Sequence, residues 1–311
     1  MACLAFLLPA GLAGAGEFVT LEVDLQTAYR LDSLQWSIAG PAGEPNVISE
    51  LQWRDLRIGE VQLGAAIAPS AALAAGLVPH AFINLGLGHI YSGEMQDSDY
   101  ALDNHTQEWS RSNNQADDGS VVDLSLGLGL TLPLVRHSFS LTPLLGYSYH
   151  EQNLTITDGR QTVTGTYGSY QAPELGAIAG LDSSYESEWQ GPWLGCEATL
   201  QPVERLRLSL LFTYHFGLSY WADAHWNLRD DLRDPSFRHT ADLGWGYRWA
   251  VSGDYGLTPA LNLFVSLDYQ EFSVSDGSDW KFYTNGDVGR LALNEVNWSS
   301  RSCGTGLRYL F

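Results

Sequence analysis

The feature that most constrains this 311-residue chain is a two-residue alternation of apolar and polar side chains that recurs along its length. It is clearest in VVDLSLGLGLTLPLV, Val121 to Val135. Leu124, Leu126, Leu128, Leu130, Leu132 and Leu134 take one parity, while Asp123, Ser125, Gly127, Gly129 and Thr131 take the other. Successive side chains of a strand point to opposite faces, so the leucines share one face and the small or polar residues the other. A soluble sandwich strand alternates too, and length separates the two cases. The alternating segments here run roughly 10 to 20 residues, against about 5 to 6 in soluble sheets. A strand crossing a bilayer needs about 9 to 11. The polar parity is rich in Gly, Ser, Thr and charge, as a hydrated lumen requires. No stretch beyond the N-terminal leader has 18 apolar residues in a row, which excludes helical spans.

Ten such segments can be marked: 18–36, 47–67, 80–93, 120–135, 138–157, 186–202, 204–222, 238–257, 259–275 and 294–311. Their connections alternate in length. PLVRHS, QPVER and GLTPAL are tight and 68–79 is a modest turn, whereas 37–46, 94–119, 158–185, 223–237 and 276–293 are mostly long and polar. Short turns on one rim and long loops on the other are the mark of an outer-membrane barrel. An even strand count closes without an edge, which lipid demands. The expectation is therefore all-β: a ten-stranded antiparallel transmembrane β-barrel with long extracellular loops and short periplasmic turns, its lumen filled by side chains. Many of the 11 Trp and 15 Tyr fall at segment ends, as an interfacial girdle would. In the last segment Phe311, Tyr309 and Leu307 share the lipid parity, while Arg308 faces the lumen.

The opening MACLAFLLPAGLAGAGEF has an apolar run ending in Ala13-Gly14-Ala15, an A-x-A cleavage pattern, so residues 1–15 read as a signal peptide and 16–311 as the barrel. Charge excludes one class of partner. With 36 Asp and Glu against 16 Lys and Arg, the net charge is -20, and such a surface repels nucleic-acid phosphates. Three cysteines imply no disulfide framework. The histidines are scattered, with no H-E-x-x-H or similar spacing, so no metal site is expected.

Two short constellations could carry chemistry. GEMQDSDYALD ends the third segment and SYWADAHW ends the seventh. Asp97 and Asp99 lie two residues apart and share a face; so do Asp223 and His225. Both sets belong to the long-loop rim, on nearly opposite walls of a ten-stranded ring. A carboxylate couple shares a proton and positions a water, and a facing His takes that water's proton while its neighbouring Asp orients it. From spacing alone, a D-x-D and a D-x-H in so acidic a chain fit solvated loop positions better than a site.

At these residues the chain resembles the omptins, ten-stranded aspartyl-type endopeptidases of the Gram-negative outer membrane. The anchors are ISELQW (Ile48–Trp53), GEMQDSDY (Gly93–Tyr100), LGYSY around Tyr147, GPWLG (Gly191–Gly195), DAHW (Asp223–Trp226) and GLRYLF. The resemblance implies catalytic pairs at Asp97 with Asp99 and at Asp223 with His225. The first two would hold the water, His225 would be the general base, and Asp223 would orient it. The family's acidic pocket positions fall on Trp36, Trp221 and Arg111, which removes the partners a basic substrate side chain needs and implies a specificity that is not strictly dibasic. Family members depend on lipopolysaccharide held by basic residues. Here those positions carry Glu151, Glu188 and Asp242, with only Tyr147 kept, so no basic clamp is expected: either activation works differently here or the lipid contact lies elsewhere. Apart from a lipopolysaccharide dependence, no cofactor is expected. The partners implied are a peptide or protein substrate and outer-membrane lipid, for a monomer whose site faces outside the cell. Two rival readings are a catalytically silent barrel serving as an adhesin or surface-binding protein, and a hydrolase of lipid A, for which no convincing Ser–His pair is present.

Overall fold

The computed structural model describes residues 18–73, 76–135 and 138–311. The expected leader and part of the turn at 133–138 lie outside the described residues. The elements are strands: β1 (Val19–Ile38), β2 (Ser49–Pro69), β3 (Val78–Leu102), β4 (Thr106–Gln115), β5 (Gly119–Val135), β6 (Phe139–Val163), β7 (Thr166–Tyr167), β8 (Tyr170–Gln171), β9 (Gly176–Ala177), β10 (Asp182–Val203), β11 (Leu206–His225), β12 (Leu232–Gly256), β13 (Leu261–Tyr283) and β14 (Val288–Leu310). A three-residue 3-10 turn, Pro41–Gly43, interrupts the first long connection. Every wall strand pairs antiparallel with its neighbours, and β1 pairs with both β2 and β14, which closes the ring. β4 and β5 share one wall position. β5 lines the lower half of β3, from Val78 to His89, and β4 the upper half, from Glu94 to Leu102. Counted so, the ring has ten strands.

The leucine face of β5 points outward, with Leu126 at 49% and Leu128 at 55% exposure, while Asp123 reaches inward to Arg30. Tyr91, Tyr147, Trp245, Trp249 and Tyr269 are exposed at the top of this apolar band and Tyr255, Tyr309 and Phe311 at its base, the two girdles of a bilayer-spanning barrel. As expected, Arg308 lies inside, bonded to Asp254, and Phe311 outside.

The strands overrun the bilayer on one side, which corrects the expected loops. Residues 94–119, 223–237 and 276–293 are mainly continuations of the wall: β3 turns into β4 across Asp103–His105, and β13 into β14 across Thr284–Asp287. Above the membrane neither face meets lipid, so the apolar alternation that marks a strand in sequence fades while backbone pairing persists.

The lumen has three layers. Near the short-turn rim a polar cavity of about 550 Å3 lies among Glu22, Asp24, Arg207 and Arg308. In the middle, Arg30 donates two hydrogen bonds of 2.8 Å to the Asp32 carboxylate and also meets Glu60 and Asp123. Asp32 is further satisfied by Gln152 at 2.8 Å and the Trp298 indole at 3.2 Å. Buried charge is tolerated when every group is paired in this way. Above it, Trp36, Trp53, Tyr185, Trp189, Tyr220, Phe272 and Trp298 close the bore with apolar side chains.

Candidate active site

The mouth of the barrel lies above this aromatic layer. In the membrane segment of β3 the lumen side carries Phe82, Asn84 and Gly86, and the lipid side Ile83, Leu87 and Tyr91. Continued unchanged, that parity would turn Asp97 and Asp99 outward. The register slips instead: Arg57 faces Ser92 but Ile58 faces Ile90, leaving Tyr91 as an extra residue. A slip of one residue exchanges the faces of everything beyond it. Met95 enters the core at 2% exposure, opposite Trp53, and Asp97 and Asp99 follow on its face, opposite Leu51 and Ser49.

The two acids are half-buried, and Oδ1 of Asp97 is shut off from solvent without a hydrogen-bond partner. Both lie above the membrane band. Burial pushes the Asp97 carboxyl well above the usual carboxylate range, and the neighbouring Asp99 adds to the shift. Asp99 is raised too, mainly by burial, while hydroxyl hydrogen bonds from Ser49 and Ser110 pull it back. Two like charges this close favour sharing a proton.

On β11 the same device works the other way. Below the rim Thr213 and His215 face the lumen, and Tyr214 and Phe216 face lipid. Gly217, at φ +59°, is the extra residue between Phe216 and Leu218, a left-handed conformation that glycine adopts without steric cost. Leu218, Tyr220, Ala222 and Ala224 therefore turn inward, buried to 2% exposure or less. Trp221, Asp223 and His225 are carried to the outer face. There Arg238, directly opposite in register, donates hydrogen bonds of 2.7 and 2.8 Å to the two oxygens of Asp223 and lies 4.7 Å over the Trp221 ring. His225 pairs through Nδ1 with Asp234.

The expected arrangement is thus formed only in part. Asp97, Asp99 and Trp36 share the lumen side, Trp36 lying edge-on to His239 at 4.6 Å. Asp223 does not hold His225, and neither faces the acid pair. Trp221 sits with them outside. Arg111, opposite Ser98, is on the outer face of β4, in a two-point pair with Glu108 at 2.6 and 2.7 Å.

The lumen side of the opposite wall holds residues that the sequence reading missed. His239 of β12 and Asp279 of β13 are register partners and fully buried, with Nε2 and Oδ1 3.5 Å apart. Nδ1 of His239 meets the Tyr185 hydroxyl at 2.8 Å, and that hydroxyl meets Tyr220 at 2.6 Å. Two residues further along β13, the Lys281 ammonium lies 4.0 Å from Oδ2 of Asp279. Tyr185 stacks on Trp53 at 5.1 Å, which ties this cluster to the β2–β3 wall. No local motif announces it: His239 and Asp279 lie far apart in sequence and meet only through register.

The closed ring, the two aromatic girdles and the side-chain-filled lumen define an outer-membrane β-barrel. The chain belongs to the Protochlamydia outer membrane protein family, Pom, whose profile matches residues 24–311. No curated protein matches the sequence. Among solved structures, the outer membrane protease OmpT from Escherichia coli superposes with a TM-score of 0.73 at 16% identity, covering 95% of this chain and 97% of that one. At that identity the likeness is one of fold. The translocator domain of the autotransporter NalP from Neisseria meningitidis aligns at 13% identity over 93% of this chain and 88% of its own, with a TM-score of only 0.38. That overlap is too small to bear on the argument.

Proposed function

We propose that this protein is an omptin-like endopeptidase whose cleft lies at the long-loop rim and faces the cell exterior. One observation carries the reading. Asp97 and Asp99 share a lumen-side face above the membrane, both with raised proton affinity, and one carboxylate oxygen lacks a partner. A pair holding one proton between two carboxyls can grip a water with its ionised member and protonate a leaving group with the other. Trp36 forms part of an aromatic floor below the pair, with no acid at the family's pocket position, so apolar or aromatic substrate side chains fit better than basic ones. Glu151 and Glu188 stand opposite each other on neighbouring strands, and such a surface repels lipid phosphates, so activity should not require lipopolysaccharide.

The test is a peptide-library digest by the purified barrel, with and without lipopolysaccharide, alongside Asp97→Ala. Cleavage by the parent and its loss in the variant are expected. Cleavage that survives Asp97→Ala contradicts the mechanism. A second reading, a non-catalytic surface-binding barrel, is favoured by the engagement of Asp223 with Arg238 and His225 with Asp234. It predicts no cleavage under any condition by a barrel that is fully folded.

A further inference from the structure

Resting on the peptidase reading, we propose that the cleft's positive group is Lys281, which stabilises the oxyanion, and that Asp279 and His239 are the residues positioning it. Lys281 follows Asp279 on the lumen face of β13, opposite Phe237 of the buried aromatic cluster. Its side chain is 31% exposed, so a substrate can reach it, whereas Asp279 and His239 are sealed beneath. The register partner of Lys281, Phe237, lies 5.8 Å from Trp36, Trp36 faces Leu51, and Leu51 faces Asp97, so Lys281 and the acid pair border one aromatic patch. The charges of Lys281 and Arg229 pull the proton affinity of both acids down against the effect of burial. Arg229 is already engaged by two 2.8 Å hydrogen bonds to Asp231.

Three buried groups lack hydrogen bonds around this point: Oδ1 of Asp97, both oxygens of Asp279, and Nε2 of His239. Unpartnered polar atoms in a dry site are costly, and those of the sealed Asp279 and His239 have, among the described residues, only each other and Lys281 to meet. Asp279 presents one oxygen to His239 and the other to Lys281, so the imidazole, itself held by Tyr185, fixes the carboxylate that aims the ammonium.

The reaction then balances within these groups. The ionised member of the acid pair takes one proton from water as the water oxygen bonds to the carbonyl carbon. The carbonyl oxygen becomes an oxyanion beside the Lys281 ammonium. As the intermediate collapses, the C–N bond breaks and the amine nitrogen takes a proton from the acid pair, which ends with the single proton it began with. Lys281 stays charged throughout, and His225 takes no part.

Two measurements test this, one of them independent of activity. With Cys196 and Cys303 replaced by serine, Asp97→Cys/Lys281→Cys should be joined by a short bifunctional thiol reagent in the folded barrel. Asp223→Cys/Lys281→Cys should not. Failure of the first pair to join overturns the juxtaposition, whatever the activity. In the digest, Lys281→Gln should lower kcat by roughly 100- to 1,000-fold with little change in KM, as loss of an oxyanion partner does. Lys281→Arg should recover part of the rate. A parent-like rate in a folded Lys281→Gln barrel overturns the role of Lys281 and leaves the peptidase standing. A parent barrel that cleaves nothing while the 97/281 cross-link forms removes the peptidase and the role together, with the geometry intact.

Discussion

β3 and β11 face each other across the barrel and carry the same device, one extra residue at the top of the apolar band, with opposite results. On β3 the extra Tyr91 brings Asp97 and Asp99 into the lumen; on β11 the extra Gly217 takes Asp223 and His225 out of it. The contents of the two faces follow. The inward acids are desolvated and hold their protons tightly. The outward Asp223 is paired with a half-exposed Arg238, and His225 meets an exposed Asp234 through Nδ1. Spacing of two residues guarantees a shared face, but bulges decide which face that is.

The sharpest way to break this contrast is to delete Gly217. The upper half of β11 would exchange faces, driving Asp223 into the aromatic layer and Tyr220 out of it. We expect a loss of more than about 4 kcal/mol, the scale of a disrupted core with an unpaired buried charge, seen as disappearance of the fast-migrating folded band on unheated gels. A folded barrel of parent stability would show that the bulge does not set the face.

The acid pair makes a prediction of opposite sign. In the folded chain the Asp97 carboxyl titrates above its unfolded value of 3.8. The folded state therefore binds the proton more tightly. Stability is greatest below the unfolded value and falls as pH rises toward the raised folded value. Asp97→Asn should remove that loss, leaving a barrel more heat-resistant than the parent at pH 8 and little different at pH 3 while hydrolysis disappears. A variant that melts below the parent at pH 8 would contradict the desolvated placement.

Smaller effects probe the outer face. Gly217→Ala keeps the bulge but places a Cβ on a left-handed residue, at a cost of roughly 1 to 2 kcal/mol. Arg238→Ala removes one partner of a part-exposed ion pair, which costs about 1 kcal/mol or less and falls further in high salt. Thermal melts of the folded band would read both.

Much of the fold was legible because lipid imposes a strict code. Where one face meets hydrocarbon, as in Leu124 to Leu134, parity, strand count and the placement of Arg308 and Phe311 could all be read directly. The hairpins above the membrane could not: β4 is mostly polar on both faces, and the upper part of β13 sets Asp279 and Lys281 on one face against Ser278, Trp280 and Phe282 on the other, so no lipid-type alternation marks either. The site was legible by halves for the same reason. The pairing of Asp97 with Asp99 needs only a local two-residue repeat. The partnership of Asp223 with Arg238, or of His239 with Asp279, exists only once register joins two strands. Gly217 is a local clue, a glycine inside an aromatic-rich strand, a common mark of a bulge.

The most direct test of the inward–outward contrast is a comparison of rates among single variants in the peptide digest. Asp97→Ala should reduce cleavage by roughly 100- to 10,000-fold, the range for loss of a positioned acid–base group. Asp223→Asn and His225→Gln should remain within a few-fold of the parent. A collapse of activity in Asp223→Asn and His225→Gln as deep as that in Asp97→Ala, in barrels that remain folded, would contradict the account.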